Sequence, residues 1–366
     1  MKSNYIVFTI VIATIFSLLG CNFNIRKEAF KKGFDEGYKS YHSEEENELI
    51  SDIIAAADLK YQNKDFKGAI QEYSKAIELD PRSALAYSNR GLAKLEIENV
   101  NSALEDAEKA IELDPNLVNG YFSRGYIEKT TGELSVAESD FEIAIVLDNK
   151  YIPAHMGIAE VKYKMGDIEG AIKEYGIVIN MDGKYVVAYK ERSYLRSLKG
   201  DYSGALADLD KAIELSPLNW GAYSDRGHIK LISKNYSGAI EDYSTAISYN
   251  PSDAMLYNNR SAAKIELGEY EGAKADCEMA IEISSNIPAP YKNLGYARIG
   301  LGDYSGAIEA FSKAIELDKE YAEAYYGRAK AKEAIGDKKG AEIDYEKSIE
   351  LDPGLFEKDT IKRIQE

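Results

Sequence analysis

A period of 34 residues constrains this chain more than any other feature. Asp303–Asp318 reads Asp-Tyr-Ser-Gly-Ala-Ile-Glu-Ala-Phe-Ser-Lys-Ala-Ile-Glu-Leu-Asp, and Asp65–Asp80, 238 residues earlier, is nearly the same text. Counted from Ile50, nine units follow without an insertion: 50–83, 84–117, 118–151, 152–185, 186–219, 220–253, 254–287, 288–321 and 322–355. A fixed period of this length marks stacked helical units whose core grows along one axis, so the length of 366 residues does not imply two or three globules. Read as a helix, 303–318 sets Ala307, Ile308, Phe311, Ala314 and Ile315 on one face at spacings of three and four. A helix that short must pack against something, and the repetition supplies its neighbours.

Some places in the unit hardly vary. One is alanine in all nine units, from Ala69 through Ala307 to Ala341, and another is isoleucine in all nine, from Ile77 to Ile349. A third is always small: Ala57, Gly91, Gly125, Ala159, Ser193, Gly227, Ser261, Gly295 and Ala329. Two helices that cross closely leave room for a methyl group and no more. Tyrosine anchors the first helix at Tyr87, Tyr121, Tyr189, Tyr223, Tyr257, Tyr291 and Tyr325, and Gly132, Gly166, Gly200, Gly268, Gly302 and Gly336 suit a left-handed residue ending that helix.

On these residues the chain resembles a tetratricopeptide-repeat protein, of the variant carrying Tyr-Ser-Asn-Arg-Gly (Tyr87–Gly91) and Ala-Ile-Glu-Leu-Asp-Pro (Ala76–Pro81). The resemblance implies an all-α solenoid, a right-handed superhelix of about nine helix pairs, whose concave face is lined mainly by the first helix of each pair and binds a peptide or protein. It also implies which residues face that groove: Phe122 and Tyr126, then Met156 and Tyr163, Lys190 and Tyr194, His228, Asn259, and finally Lys292, Asn293 and Tyr296. These vary from unit to unit, as ligand contacts do and packing anchors do not. Rings bury a bound segment's side chains and amides pair its backbone. The carboxylate grip of cytosolic co-chaperones does not fit: Asn89 matches its middle Asn, but the flanking places hold Ile54, Asp58, Asn119 and Ser123.

Charge pairs with the repeat as well. Arg90, Arg124, Arg192, Arg226, Arg260 and Arg328 share one place, and Asp106, Asp140, Asp208, Asp242, Asp276 and Asp344 follow sixteen residues on. Where the arginine becomes Leu294, the aspartate becomes Ala310. Co-occurrence of this kind predicts an ion pair between the two helices of a unit, which makes these arginines poor ligand contacts. Most of the 28 tyrosines are packing residues by the same logic, and Cys277 is a buried, inert small hydrophobe.

The ends differ from the array. Lys2 precedes Tyr5–Leu19, fifteen uncharged residues, too few for a membrane span and right for a secretory signal. Leu18-Leu19-Gly20-Cys21 resembles the lipobox of bacterial lipoproteins. That likeness implies removal of 1–20 and a diacylglyceryl thioether on Cys21, hence a lipid-anchored protein outside the cytoplasm, a secreted form being the alternative. Residues 21–49, with Phe30, Phe34, Tyr38, Tyr41 and the run Glu44-Glu45-Glu46, are expected to form a tether or N-terminal cap, and 356–366 a C-terminal capping helix.

What remains is mostly exclusion. A net charge of −17 argues against a nucleic-acid partner. Cys21 and Cys277 make no disulfide framework, His42, His155 and His228 stand isolated, and no metal-ligating, phosphate-cradling or acid–base constellation separates itself from the repeat. The expectation is a non-catalytic protein-binding scaffold of a bacterial envelope, without cofactor or metal. The alternatives are a groove that takes an envelope glycan or another non-protein ligand, and, with least support, an envelope enzyme.

Overall fold

The computed structural model describes residues 43–355, and within them every regular element is a helix. The eighteen helices are α1 (Glu44–Gln62), α2 (Phe66–Leu79), α3 (Ala84–Leu95), α4 (Val100–Leu113), α5 (Val118–Thr131), α6 (Leu134–Leu147), α7 (Ile152–Lys164), α8 (Ile168–Met181), α9 (Val186–Leu198), α10 (Tyr202–Leu215), α11 (Trp220–Ile232), α12 (Tyr236–Tyr249), α13 (Ala254–Glu266), α14 (Tyr270–Ile283), α15 (Pro288–Gly300), α16 (Tyr304–Leu317), α17 (Ala322–Ala334) and α18 (Lys338–Leu351). Odd and even numbers alternate as the first and second helix of a pair. None of the described helices is long and apolar enough to cross a membrane. The chain divides into two bodies, residues 1–157 and 158–366.

Local sequence explains where the helices start and stop. Six second helices begin with an Asp or Asn whose side chain accepts the N–H of a glycine three residues on, as in Asp65–Gly68 at 3.0 Å and Asp303–Gly306 at 2.9 Å. The preceding turn needs one left-handed residue. Six pairs use glycine there, with φ between 77° and 92°, and three use Lys64, Glu98 and Lys234, with φ of 61°, 61° and 65°. At the start of the array, Ser43 and Glu46 form a reciprocal capping box. The acidic run expected in a tether ending at residue 49 is therefore the first turn of α1, because a serine stands at the N-cap and glutamate suits the positive end of the helix dipole. The aromatic stripe and Cys21 lie outside the described residues, as does the expected 356–366 helix, although 353–355 are already helical.

In the first body the crossing of α1–α6 follows from the small places. Ala69, Ala103 and Ala137 are fully buried, and a Cβ added at Gly91 would sit 3.0 Å from the Ala103 carbonyl oxygen. Phe141 of α6 lies under Gly125 and Gly157; a Cβ at Gly157 would come within 2.7 Å of its ring. The second body repeats the arrangement. Phe311 of α16 lies under Gly295 and Gly327, and Tyr243 of α12 lies under Gly227. Cys277 occupies the same core position in α14, where burial pushes its thiol up to about 12. The isoleucines do a different job. Most are half-buried and cover the next pair, as Ile111 does 3.1 Å from where Gly120 would carry a Cβ.

The expected ion pairs form in all six units that carry the residues. Each is bidentate, with Nε and Nη2 of the arginine donating to both carboxylate oxygens at 2.6–2.9 Å. The aspartates are only 2–5% exposed, so the pairs belong to the interior and not to the surface. Each arginine also lies 5.2–5.9 Å over the ring of the tyrosine three residues before it. Leu294 and Ala310 fill the same space with apolar atoms beside Cys277.

Arg260→Ala leaves Asp276 with Lys264 alone and is expected to cost about 1–3 kcal/mol in urea unfolding. Arg260→Leu with Asp276→Ala copies the Leu294–Ala310 pair and is expected to be close to neutral; a double variant as weak as the single one contradicts this view of the pair. Lys234→Gly relieves a left-handed lysine and is expected to gain about 0.5–1 kcal/mol.

Candidate functional site

With the repeated residues spent on packing, ligand chemistry is left to the variable residues of the first helices. In the first body these mostly engage each other. Phe122 is half-buried, edge-on to Tyr151 at 5.6 Å and beside Phe141 at 5.8 Å. The Lys129 ammonium lies 4.3 Å over Tyr126. Ser88 Oγ donates to the Asn119 carbonyl at 2.9 Å, and Tyr151 donates to the Asn119 side chain at 3.0 Å. Asn89 donates to Asp58 at 3.1 Å, and Asp58 also accepts from Tyr73. Met156 is half-buried, and His155, in the place of an aromatic anchor, is buried.

The second body is more open. Tyr163 and Tyr194, 38% and 48% exposed, stand edge to face at 6.0 Å and share a hydrogen bond of 3.1 Å between their hydroxyls. The Lys190 ammonium meets Asp225 at 3.2 Å. Burial pushes the neighbouring Glu191 carboxyl up, Lys190 pulls it back, and Glu160 and Asp225 add to the rise. His228 is exposed. Asn259 is half-buried and accepts from Asn258 at 3.1 Å.

Three of the expected groove residues come together. Lys292, Asn293 and Tyr296 line one cavity of about 390 Å³ with Ala262, Ile265, Glu266, Glu323, Tyr326, Lys330 and Leu355, where α13, α15 and α17 run side by side. Their roles differ. Asn293 is 5% exposed and spends its amide on the Asn258 carbonyl at 3.2 Å, the Asn258 side chain at 2.9 Å and Ser261 at 3.2 Å, so it holds α15 to α13. The Lys292 ammonium reaches Glu323 at 2.9 Å and sits 5.9 Å from the Tyr321 ring. Burial disfavours its charge, but Tyr321 and Glu323 outweigh that and hold it above its ordinary value. Tyr296 stacks edge-on against Phe311 at 5.1 Å with its hydroxyl 3.3 Å from the Glu323 carbonyl. The Lys330 ammonium lies 4.8 Å over Tyr326.

Lys330 and Tyr326 were not singled out in sequence, although they stand one period beyond Tyr296 and Lys292. Position alone could have found them. The cavity offers ammonium groups, carboxylates and phenols at one mouth, a set suited to binding a mixed polar and apolar segment. Among the described residues no three His, Cys, Asp or Glu side chains gather as a metal site.

Known repeat sequences match inside both bodies. The profile of the TPR repeat matches residues 57–98 and 298–336, and that of the tetratricopeptide repeat matches 84–117, 255–287 and 322–355. Those stretches carry tetratricopeptide repeats. Solved structures agree on the fold. A tetratricopeptide repeat protein from Parabacteroides merdae is 21% identical with a TM-score of 0.51, over 71% of this chain and 98% of that one. The Cut9–Hcn1 hetero-tetramer of APC/C gives 16% and 0.54, over 76% of this chain and 55% of that one. No curated protein sequence matches. The described residues form an all-helical repeat array, and the solved structures share that fold.

Asn293→Ala is expected to cost about 1–3 kcal/mol, because it strands the Asn258 side-chain oxygen, whereas Tyr194→Ala is expected to stay within about 0.5 kcal/mol. Thermal or urea unfolding of the two variants separates the packing residue from the exposed one.

Proposed function

We propose that this chain is a non-catalytic docking scaffold that holds a segment of another protein against the inner faces of α13, α15 and α17. The observation that carries the reading is the cavity at Lys292, Tyr296, Tyr326 and Lys330. It is built from residues that the repeat leaves free to vary, while the repeated arginines, aspartates, alanines and isoleucines are consumed by packing. Ammonium and carboxylate groups at its mouth orient a segment, and the half-buried Tyr296 ring supplies area over the buried Tyr326. Tyr163, Tyr194, Lys190 and His228 offer a second exposed stretch to the same kind of ligand.

The proposed location is the outer side of a bacterial membrane, with Cys21 as the lipid attachment point. This rests on Leu18–Cys21 and on the uncharged run before it, which lie outside the described residues. Lipid anchoring would hold the array at a bilayer, where several acyl chains bind far better than one.

The test compares the full chain with a Lys292→Ala, Tyr296→Ala, Lys330→Ala variant in affinity capture after crosslinking in intact cells. The expected result is a defined set of proteins lost at least about tenfold by the variant, a loss of 1.4 kcal/mol or more, beyond any loss of folded protein that urea unfolding of the same variant measures. Recovery of no protein above background, together with retention on purified cell-wall glycan, favours the glycan alternative and overturns the proposal. Separately, incorporation of labelled fatty acid is expected to vanish in Cys21→Ser; incorporation that survives removes the anchor.

A further inference from the structure

The paired charges between helices have one exception of sign. In five units the residue four after the arginine is a second cation, and Lys94, Arg196, Lys230, Lys264 and Lys332 each reach the same aspartate at 2.7–2.8 Å. In α5 that place is taken by Glu128. Arg124 is already committed to Asp140 through both oxygens, at 2.6 and 2.7 Å. Glu128 Oε2 is buried and has no hydrogen-bond partner. The charged groups acting on it are Arg124 on its own helix, Asp140 on α6 and Glu108 on α4, three carboxylates in all against one guanidinium.

Two carboxylates in that setting do not both stay ionised cheaply. With a proton, Glu128 becomes a donor and Asp140 is the acceptor beside it. Without one, the two repel and Oε2 stays unsatisfied. Burial first, then the Asp140 carboxylate, push Glu128 up to about 7; Arg124 opposes this and Glu108 adds to it.

We propose that the α5–α6 pair is a proton-operated joint, held closed by a protonated Glu128 donating to Asp140 and loosened by charge repulsion when that proton leaves. The proton is held more tightly in the folded chain than in the unfolded one. The joint is therefore at full strength below the ordinary glutamate range and weakens as the pH rises through neutrality. Because α5 also carries Phe122 and Tyr126, loosening it disturbs the ring cluster they form with Phe141 and Tyr151. The other five units, with a cation in this place, lack the dependence.

The test is amide hydrogen exchange of the full chain at pH 5.5 and pH 8, corrected for intrinsic rates and read over residues 118–147. In the parent chain, protection of this segment is expected to fall severalfold to about tenfold between the two pH values relative to the α13–α14 segment, solvent screening keeping it below the full effect of the shift. Glu128→Gln, a permanently neutral side chain, is expected to abolish the fall, and Glu128→Lys, which installs the sister units' cation, to protect the segment at both pH values. A parent chain and Gln variant with equal protection at pH 5.5 and at pH 8 overturn the proposal. Should the Gln variant fail to fold, a Lys variant that loses protection with rising pH as the parent does overturns it equally.

Discussion

The structure depends on how closely two helices of a pair cross. Ala103 meets Gly91 and Ala137 meets Gly125 with no space for a larger side chain. That approach brings the arginine of the first helix against the aspartate of the second, buries the carboxylate and makes a bidentate bond between them possible. It also presses the rings of Phe141, Tyr243 and Phe311 close against glycines. The crossing fixes which places in the period are forbidden to vary, and in doing so leaves the rest of the first helix to other uses.

Much of this was legible in the residues themselves. A period of 34 with an unvarying alanine, an unvarying isoleucine and a small residue specifies a close helix pair, and the joint loss of arginine and aspartate at Leu294 and Ala310 identifies a contact without any coordinates. The exposure of that contact was less readable. Sixteen residues of separation say that two side chains meet, but not that the aspartate end lies in the interior. In sequence the tyrosine and the arginine three residues on are two separate features; one helix turn places the guanidinium over the ring. The start of α1 is earlier than the sequence suggests, since an acidic run looks solvated whether it is free or forms the first turn of a capped helix.

The candidate site was read less completely than the fold, for a physical reason. A residue that varies between units is a ligand contact or a local patch between neighbouring helices, and sequence alone does not separate the two. Asn293 and Phe122 are patches: one spends its amide on Asn258 and Ser261, the other wedges between Tyr151 and Phe141. Tyr194 and His228 are exposed, and Lys292 and Tyr296 open onto a cavity shared with Tyr326 and Lys330, which the period places one unit further on. Glu128 shows the same lesson in reverse. Its place in the period marks it as the wrong charge, and only its buried Oε2, with Asp140 acting on it, gives that substitution a consequence.

The central proposal is that packing occupies the repeated residues and docking uses the cavity lined by α13, α15 and α17. Residue-by-residue photocrosslinking in living cells tests it most directly, with a photoreactive side chain placed either at Lys330, in the cavity, or at Lys313, on the exposed side of α16. The account predicts a discrete protein adduct from position 330 and none of the same mass from position 313. The same adduct from both positions, or from position 313 alone, would contradict it.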